Sequence, residues 1–282
     1  MDRREADREV RPALGLSIEA GYHHAMRYFG GKLRHRDQIG KLLTELADVL
    51  SSPIEDRCCG SLAVTRGVFE AGGRVSVAID ANVALMCLYR SVRDGWIPPR
   101  TMSREEFTAI QRGPLPDDDP MTAFAMIFCS YGGKWCAGYL PSDDRYPVGG
   151  TAHHAAAKAH VDLLRMKPWL EQIDLRCGDC RVGLPKSPTV IYFDPPYVGV
   201  EGYAHVAPFP HASFLQCVTA ASAKHAIVVS EFTMPPNWRE IAAMQYKGGS
   251  GFTKNKVERL FVLRGGLADR ILLEREHARS SL

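Results

Sequence analysis

The stretch Thr189-Val190-Ile191-Tyr192-Phe193-Asp194-Pro195-Pro196-Tyr197 carries the strongest fold signal in this chain of 282 residues. Its first five residues are apolar or β-branched and stop at an acid and two prolines, the pattern of a buried parallel strand running into a rigid loop. Each proline fixes φ and lacks a backbone donor, so the loop presents carbonyl acceptors beside a carboxylate. A second run, Val75-Ser76-Val77-Ala78-Ile79, also ends in an acid, Asp80. A third, Ala226-Ile227-Val228-Val229-Ser230, follows a helical pattern around Phe214 to Ser222. Strand and helix thus alternate as in a doubly wound α/β sheet, whose ligands sit beyond the carboxyl ends of the strands, where Asp80 and Asp194 fall.

Outward from these runs, Ile39, Leu42, Leu43, Leu46, Val49 and Leu50 recur at helical spacing and predict an amphipathic helix ending near Ser51-Ser52-Pro53. A hairpin is expected with Met244 to Lys247 and Leu260 to Leu263 as its strands. Between Asp94 and Pro168 the pattern changes to loops rich in Pro, Gly and Asp, such as Gly113-Pro114-Leu115-Pro116-Asp117-Asp118-Asp119-Pro120, which read as an inserted lobe. The expected organisation is an extension over residues 1–24, one α/β domain formed by 25–93 and 169–265, the insertion over 94–168, and a tail of mixed charge over 266–282.

Bulk composition narrows the class. A hydrophobic content of 45% over this length suffices for one large core. A formal net charge of +3 excludes a histone-like polycation but leaves room for a basic groove. No apolar run approaches the roughly 20 residues that span a bilayer, and Met1 to Arg11 alternates acids and arginines, so a soluble, cytoplasmic protein without a membrane partner is expected. The eight cysteines are scattered and read as reduced thiols. Cys177 and Cys180 form a C-x-x-C that invites a zinc or redox reading, yet Cys58-Cys59 does not supply the second pair a structural zinc site needs, so plain thiols and no metal are expected. His153, His154 and His160 lack an H-E-x-x-H arrangement.

The Asp194-Pro195-Pro196-Tyr197 loop can receive an exocyclic amine, one hydrogen going to the Asp194 carboxylate and one to the Pro195 carbonyl, which directs the nitrogen lone pair at an incoming methyl group. Tyr197 is expected to stack on the ring that carries the amine. Together with Arg27 to Lys32, the glycine turn near Cys59-Gly60-Ser61, Asp80 and Gly178-Asp179, this loop resembles that of the Dam-type DNA adenine methyltransferases of the α group, phage-encoded members above all. The resemblance runs from about Tyr28 to about Val262 and implies a Rossmann-like S-adenosylmethionine-dependent methyltransferase sheet with an inserted, mainly helical DNA-recognition lobe. It implies a site-specific enzyme that methylates N6 of a flipped-out adenine in double-stranded DNA, in a setting such as restriction-modification.

By the same resemblance Tyr28, Gly30, Gly31 and Lys32 would hold the methionine end of the cofactor, a lysine meeting a carboxylate, although Gly30-Gly31 also reads as a plain turn. The cofactor turn would comprise Asp56, Gly60 and Ser61, with Arg57, Cys58 and Leu62 departing from the family pattern Glu-Pro-Phe-Cys-Gly-Ser-Gly. Asp80 would accept the ribose hydroxyls or cap the helix that follows, and both roles can hold at once. Asp179 and Cys180 would lie near the cofactor adenine. The insertion offers Tyr131, Lys134, Trp135 and Arg145 for DNA, aromatics and cations suited to reading or flipping a base, set against solvated loops as the alternative. Rival readings are N4-cytosine methylation, which the acid at position 194 disfavours, and a catalytically silent DNA-binding protein of the same fold.

Overall fold

The computed structural model describes residues 31–140, 147–148, 151–152, 155–199, 208–245 and 257–281. The helical spacing of Ile39, Leu43 and Leu46 is realised as α1 (Arg36–Leu50), which stops where Ser51 turns left-handed at φ 46° ahead of Pro53. The chain continues through β1 (Ile54–Arg57), α2 (Ala63–Glu70), β2 (Val75–Asp80), α3 (Val83–Arg93) and α4 (Arg104–Arg112). A single helical turn, Pro120–Ala123, then runs into a π-helical turn, Phe124–Phe128. There follow the two-residue strands β3 (Pro147–Val148) and β4 (Thr151–Ala152), α5 (Ala155–Leu170), β5 (Asp174–Cys177), β6 (Val190–Phe193), α6 (His211–Ala221), β7 (Ala226–Glu231), β8 (Trp238–Gln245), β9 (Val257–Leu263) and α7 (Leu267–Ser280).

Seven strands form one sheet in the order β5-β2-β1-β6-β7-β9-β8. The first five run parallel, whereas β9 pairs antiparallel with β7, and β8 antiparallel with β9. The protein is therefore α/β with a mixed, mostly parallel Rossmann-like sheet, and the antiparallel hairpin at one edge sets it apart from an all-parallel dinucleotide sheet. Strand order reverses between β1 and β6, which places the topological switch point, and hence the crevice for a ligand, at their carboxyl ends.

The pleat sorts side chains onto two faces. Val190 and Tyr192 of β6 and Ala226 and Val228 of β7 share a cluster with Leu43 and Leu46 of α1, Val64 and Val68 of α2 and Ile271 of α7. Their neighbours Ile191, Phe193, Ile227 and Val229 point the other way, onto Phe214 and Val218 of α6. The segment expected as an inserted lobe packs on the sheet: Phe107, Phe124 to Phe128, Leu163 and Met166 sit in one cluster with Leu85 and Leu88 of α3 and with Ala78 and Leu175 of β2 and β5. The expected boundary at 168 falls inside α5, whose interior Pro168 reads in sequence as a break. Residues expected as a tail form α7, which buries Ala268, Asp269 and Ile271.

Helices α1 and α2 touch backbone to backbone through two glycines. A Cβ on Gly40 would stand 2.2 Å from the Gly67 carbonyl carbon, and a Cβ on Gly67 2.2 Å from the Arg36 carbonyl oxygen. Alanine in a helix interior gains about 1 kcal/mol over glycine in propensity, but overpacking against backbone costs about 3 kcal/mol and wins. Gly40→Ala is accordingly expected to lower the unfolding free energy by about 2 kcal/mol, the difference of those terms, in urea titration. An alanine variant as stable as the wild type would show that the two helices separate without penalty.

Candidate active site

The carboxyl ends of β1, β2, β5 and β6 surround a cavity of about 910 Å³. Of the residues expected to meet a cofactor, Gly31, Lys32, Asp56, Gly60, Ser61, Asp80, Asp179, Cys180 and Asp194 all line it, and Tyr28 and Gly30 lie outside the described residues. From the Asp194 to Tyr197 loop, Asp194 and Pro196 reach the cavity while Pro195 is buried.

The turn after β1 is held in place by backbone bonds. Cys58 and Cys59 donate their N–H groups to the Ile79 carbonyl at 2.8 and 2.9 Å, and Gly60 donates its own to Asp80 Oδ2 at 2.8 Å. Gly60 takes φ 47°, a conformation that costs glycine little. The Tyr89 hydroxyl, reaching from α3, donates to the Gly60 carbonyl at 2.9 Å. Asp80 also accepts the Asn82 N–H at 2.9 Å. The α3 cap is Asn82, whose Oδ1 accepts from the Leu85 N–H at 3.1 Å, so the helix-cap reading of Asp80 is replaced by a tie between the glycine turn and the start of α3.

Asp56 is buried and accepts both the Thr65 hydroxyl at 2.6 Å and the Thr65 N–H at 3.2 Å, which fixes the first turn of α2 over the cavity floor. Burial pushes its carboxyl up to about 7; the hydroxyl bond from Thr65 opposes the shift, and the nearby Asp194 and Asp80 charges add to it. Burial likewise raises Asp80 and Asp194. Three acids thus crowd one cavity and resist ionising together.

Lys32 is 4% exposed and ion-pairs with Asp194 at 2.7 Å, with Glu258 of β9 further off at 3.8 Å. Its ammonium also sits 4.8 Å from the centre of the Tyr197 ring. The Tyr197 hydroxyl bonds Ser230 at 2.8 Å and donates to Asp194 at 3.2 Å, and the ring meets Phe232 edge-on at 4.7 Å. Tyr197 is thus held at Asp194 and Ser230 by its hydroxyl, with Lys32 against its ring. Glu231 accepts the Val198 N–H at 2.7 Å and so ties the end of this loop to β7.

Four residues that no sequence pattern singled out hold this geometry. Tyr89, Glu231 and Glu258 belong to an ordinary helix and ordinary strands, and each acts across a long sequence separation. The fourth, Arg57, was visible only as a departure from the family turn; it is fully buried at the end of β1. Cys177 and Cys180 do not act as a pair: Cys177 is exposed, while buried Cys180 lies against the Cys58 thiol, a contact that with burial drives the Cys58 thiol pKa upward. Among the described residues no group of three or more His, Cys, Asp or Glu is arranged to hold a metal ion.

The residues expected to meet DNA lie away from the cavity wall. Tyr131 is 69% exposed at a tight turn, Lys134 is exposed, and Trp135 is half-buried against the core; Arg145 falls outside the described residues. His160 donates from Nδ1 to the Pro98 carbonyl at 2.6 Å and is buried, which makes it a packing residue, and His153 and His154 fall outside the described residues. No helix among the described residues is long and apolar enough to cross a membrane. No protein-family model matches the chain, and no curated protein matches it.

The Asp56 carboxyl sets a pH dependence. In the unfolded chain it ionises near its ordinary value of 3.8, whereas the folded protein keeps the proton up to about 7. A group raised in this way stabilises the fold fully at low pH, and that contribution is lost as pH rises from about 4 to about 7. Asp56→Asn, which retains an acceptor for Thr65, is expected to remove this share of the decline and leave that of Asp80 and Asp194. Urea unfolding of both proteins across pH 4 to 8 checks this, and parallel stability profiles would show that Asp56 ionises normally.

Proposed function

We propose that the protein is an S-adenosylmethionine-dependent DNA methyltransferase acting on the N6 amine of adenine. The observation that carries the reading is the position of Asp194: a carboxylate at the end of β6, followed by two prolines, at the switch point of the sheet and on the wall of a cavity shared with the Gly60 turn and Asp80.

The cavity suits this cofactor on three grounds. Its volume of about 910 Å³ is that of a site for a nucleoside-sized ligand. Asp80 presents carboxylate oxygens beside the glycine turn, an arrangement able to accept ribose hydroxyls. Leaving aside Asp56, which burial keeps protonated, the acids Asp80, Asp179 and Asp194 outnumber the cations Lys32 and Arg181 on the wall, and both cations are already paired with wall carboxylates. Such a wall favours a ligand with sulfonium and ammonium charges and disfavours the pyrophosphate of a dinucleotide.

S-adenosylmethionine, when bound, supplies an electrophilic methyl group. The work of the chain is alignment, for which intramolecular analogies allow about 7–11 kcal/mol of barrier. An adenine extruded from the duplex brings its amine to Asp194, where it displaces Lys32 as the donor to the carboxylate. The bond from the amine strengthens as positive charge develops on nitrogen, so Asp194 serves rate more than binding. Tyr197 and Ser230 hold the carboxylate from behind. Tyr131 and Lys134, exposed beside the half-buried Trp135, offer the duplex an aromatic and cationic surface.

Asp194→Ala is expected to keep cofactor and DNA affinity while turnover falls about 10²–10³-fold, the usual loss for one preorganised polar group. Asp194→Asn serves as the variant of matched shape. Labelled methyl transfer, with mass spectrometry of the hydrolysed DNA, should show N6-methyladenine from the wild type. N4-methylcytosine would move the assignment to the cytosine enzymes, and undiminished turnover by the alanine variant would remove Asp194 from the chemistry.

A further inference from the structure

Arg57 ends the central strand with its side chain fully buried, behind the cavity wall instead of on it. Its Nε donates to Glu55 Oε2 at 2.8 Å, and Nη2 lies 2.7 Å from the same oxygen. The rest of the fork reaches a loop more than a hundred residues away in sequence. Nη1 donates to the carbonyls of Cys180 and Val182 at 2.7 and 2.8 Å, and Nη2 to that of Gly183 at 2.8 Å. One planar cation thereby sets the direction of three peptide carbonyls, a task that a lysine ammonium, lacking the rigid fork, does not reproduce.

The Cys180 carbonyl and the Arg181 N–H belong to one planar trans unit and point opposite ways. With the carbonyl held by Arg57, the N–H is turned to Asp179 Oδ1, which it reaches at 2.9 Å. The Arg181 side chain grips the same oxygen through Nε at 2.9 Å. Asp179 faces the cavity, and its carboxylate is held by the Arg181 guanidinium on both oxygens and by the Arg181 N–H whose peptide Arg57 orients. Stability alone is a poor reason for this arrangement, since buried ion pairs are often replaced by apolar residues without loss.

We infer that Arg57 is a positioning residue for the cofactor: it sets the loop of residues 180–183 and, through the Cys180–Arg181 peptide, aims Asp179 at the ligand. This rests on the reading of the cavity as the S-adenosylmethionine site. It also accounts for the chain's departure from the family turn at this position, because the strand end supplies the clamp for the facing loop.

Calorimetry with S-adenosylmethionine tests the inference on the wild type, Arg57→Lys, the double variant Glu55→Leu with Arg57→Met, Asp179→Ala, and the triple combination, with urea unfolding to establish that each is folded. The double variant removes both charges and so leaves no uncompensated carboxylate, and Arg57→Lys keeps a cation opposite Glu55; either suffices if the other fails to fold. Each is expected to bind at least tenfold more weakly than the wild type. Asp179→Ala should weaken binding to a similar extent and cause no further loss when added to the double variant, since both act through one carboxylate. A folded Arg57 variant with wild-type affinity, or losses that multiply in the triple variant, would overturn the positioning role alone. A wild-type protein that does not bind S-adenosylmethionine would overturn the cofactor reading itself, and the positioning role with it.

Discussion

A central strand of a parallel sheet that carries Glu55, Asp56 and Arg57 in succession stays buried only if every charge finds a partner, because an isolated charge inside a protein is among the costliest groups to bury. Successive residues of β1 point to opposite faces, and the partners are divided accordingly. Asp56 turns to one face and takes both polar hydrogens of Thr65, which fixes where α2 begins. Glu55 and Arg57 share the other face and pair with each other, leaving the arginine free to draw in the loop after β5. Two walls of the cavity are thus placed by the requirement that one strand be electrically satisfied.

The glycine turn between β1 and α2 depends on the same principle applied to backbone groups. Cys58, Cys59 and Gly60 spend their N–H groups on the end of β2, two on the Ile79 carbonyl and one on the Asp80 carboxylate. Asp80 meanwhile holds the start of α3 through the Asn82 N–H. The ends of β1 and β2 are consequently tied together, and the cavity wall is held by bonds that also terminate its strands. Preorganisation of this kind is what spares a reaction the cost of reorienting dipoles.

Opposite them stands the Asp194 cluster, where a buried lysine, a tyrosine and a second-row glutamate surround one carboxylate. Burial favours the protonated acid and Lys32 favours the anion, so the charge of Asp194 is set by the competition between them. On the proposed reading, a donor arriving from the cavity competes with this ammonium for the same carboxylate.

The amino-acid sequence by itself determined the strands whose burial needs only apolar side chains. Residues 75–80, 190–193 and 226–231 lie within a residue or two of their expected bounds, α1 is where periodicity puts it, Asp80 and Asp194 end their strands or follow them directly as expected, and β9 contains the expected 260–263, whereas β8 starts at Trp238 and shares only Met244 and Gln245 with the strand expected over 244–247. It did not reveal β1, because three of its four residues are charged and their pairing partners lie up to 126 residues away. Nor did it reveal β5, an edge strand in which only Leu175 is buried, so hydrophobic periodicity has almost nothing to register. The insertion and the C-terminal segment were read from local composition, Pro168 and alternating charge, whereas what decided them was which apolar surface lay within reach: α5 covers α3, and α7 covers β7 and β9. Tertiary structure alone joined the Tyr197 hydroxyl to Ser230 and made Arg57 a clamp, since the direction of a side chain follows from partners that only folding brings together.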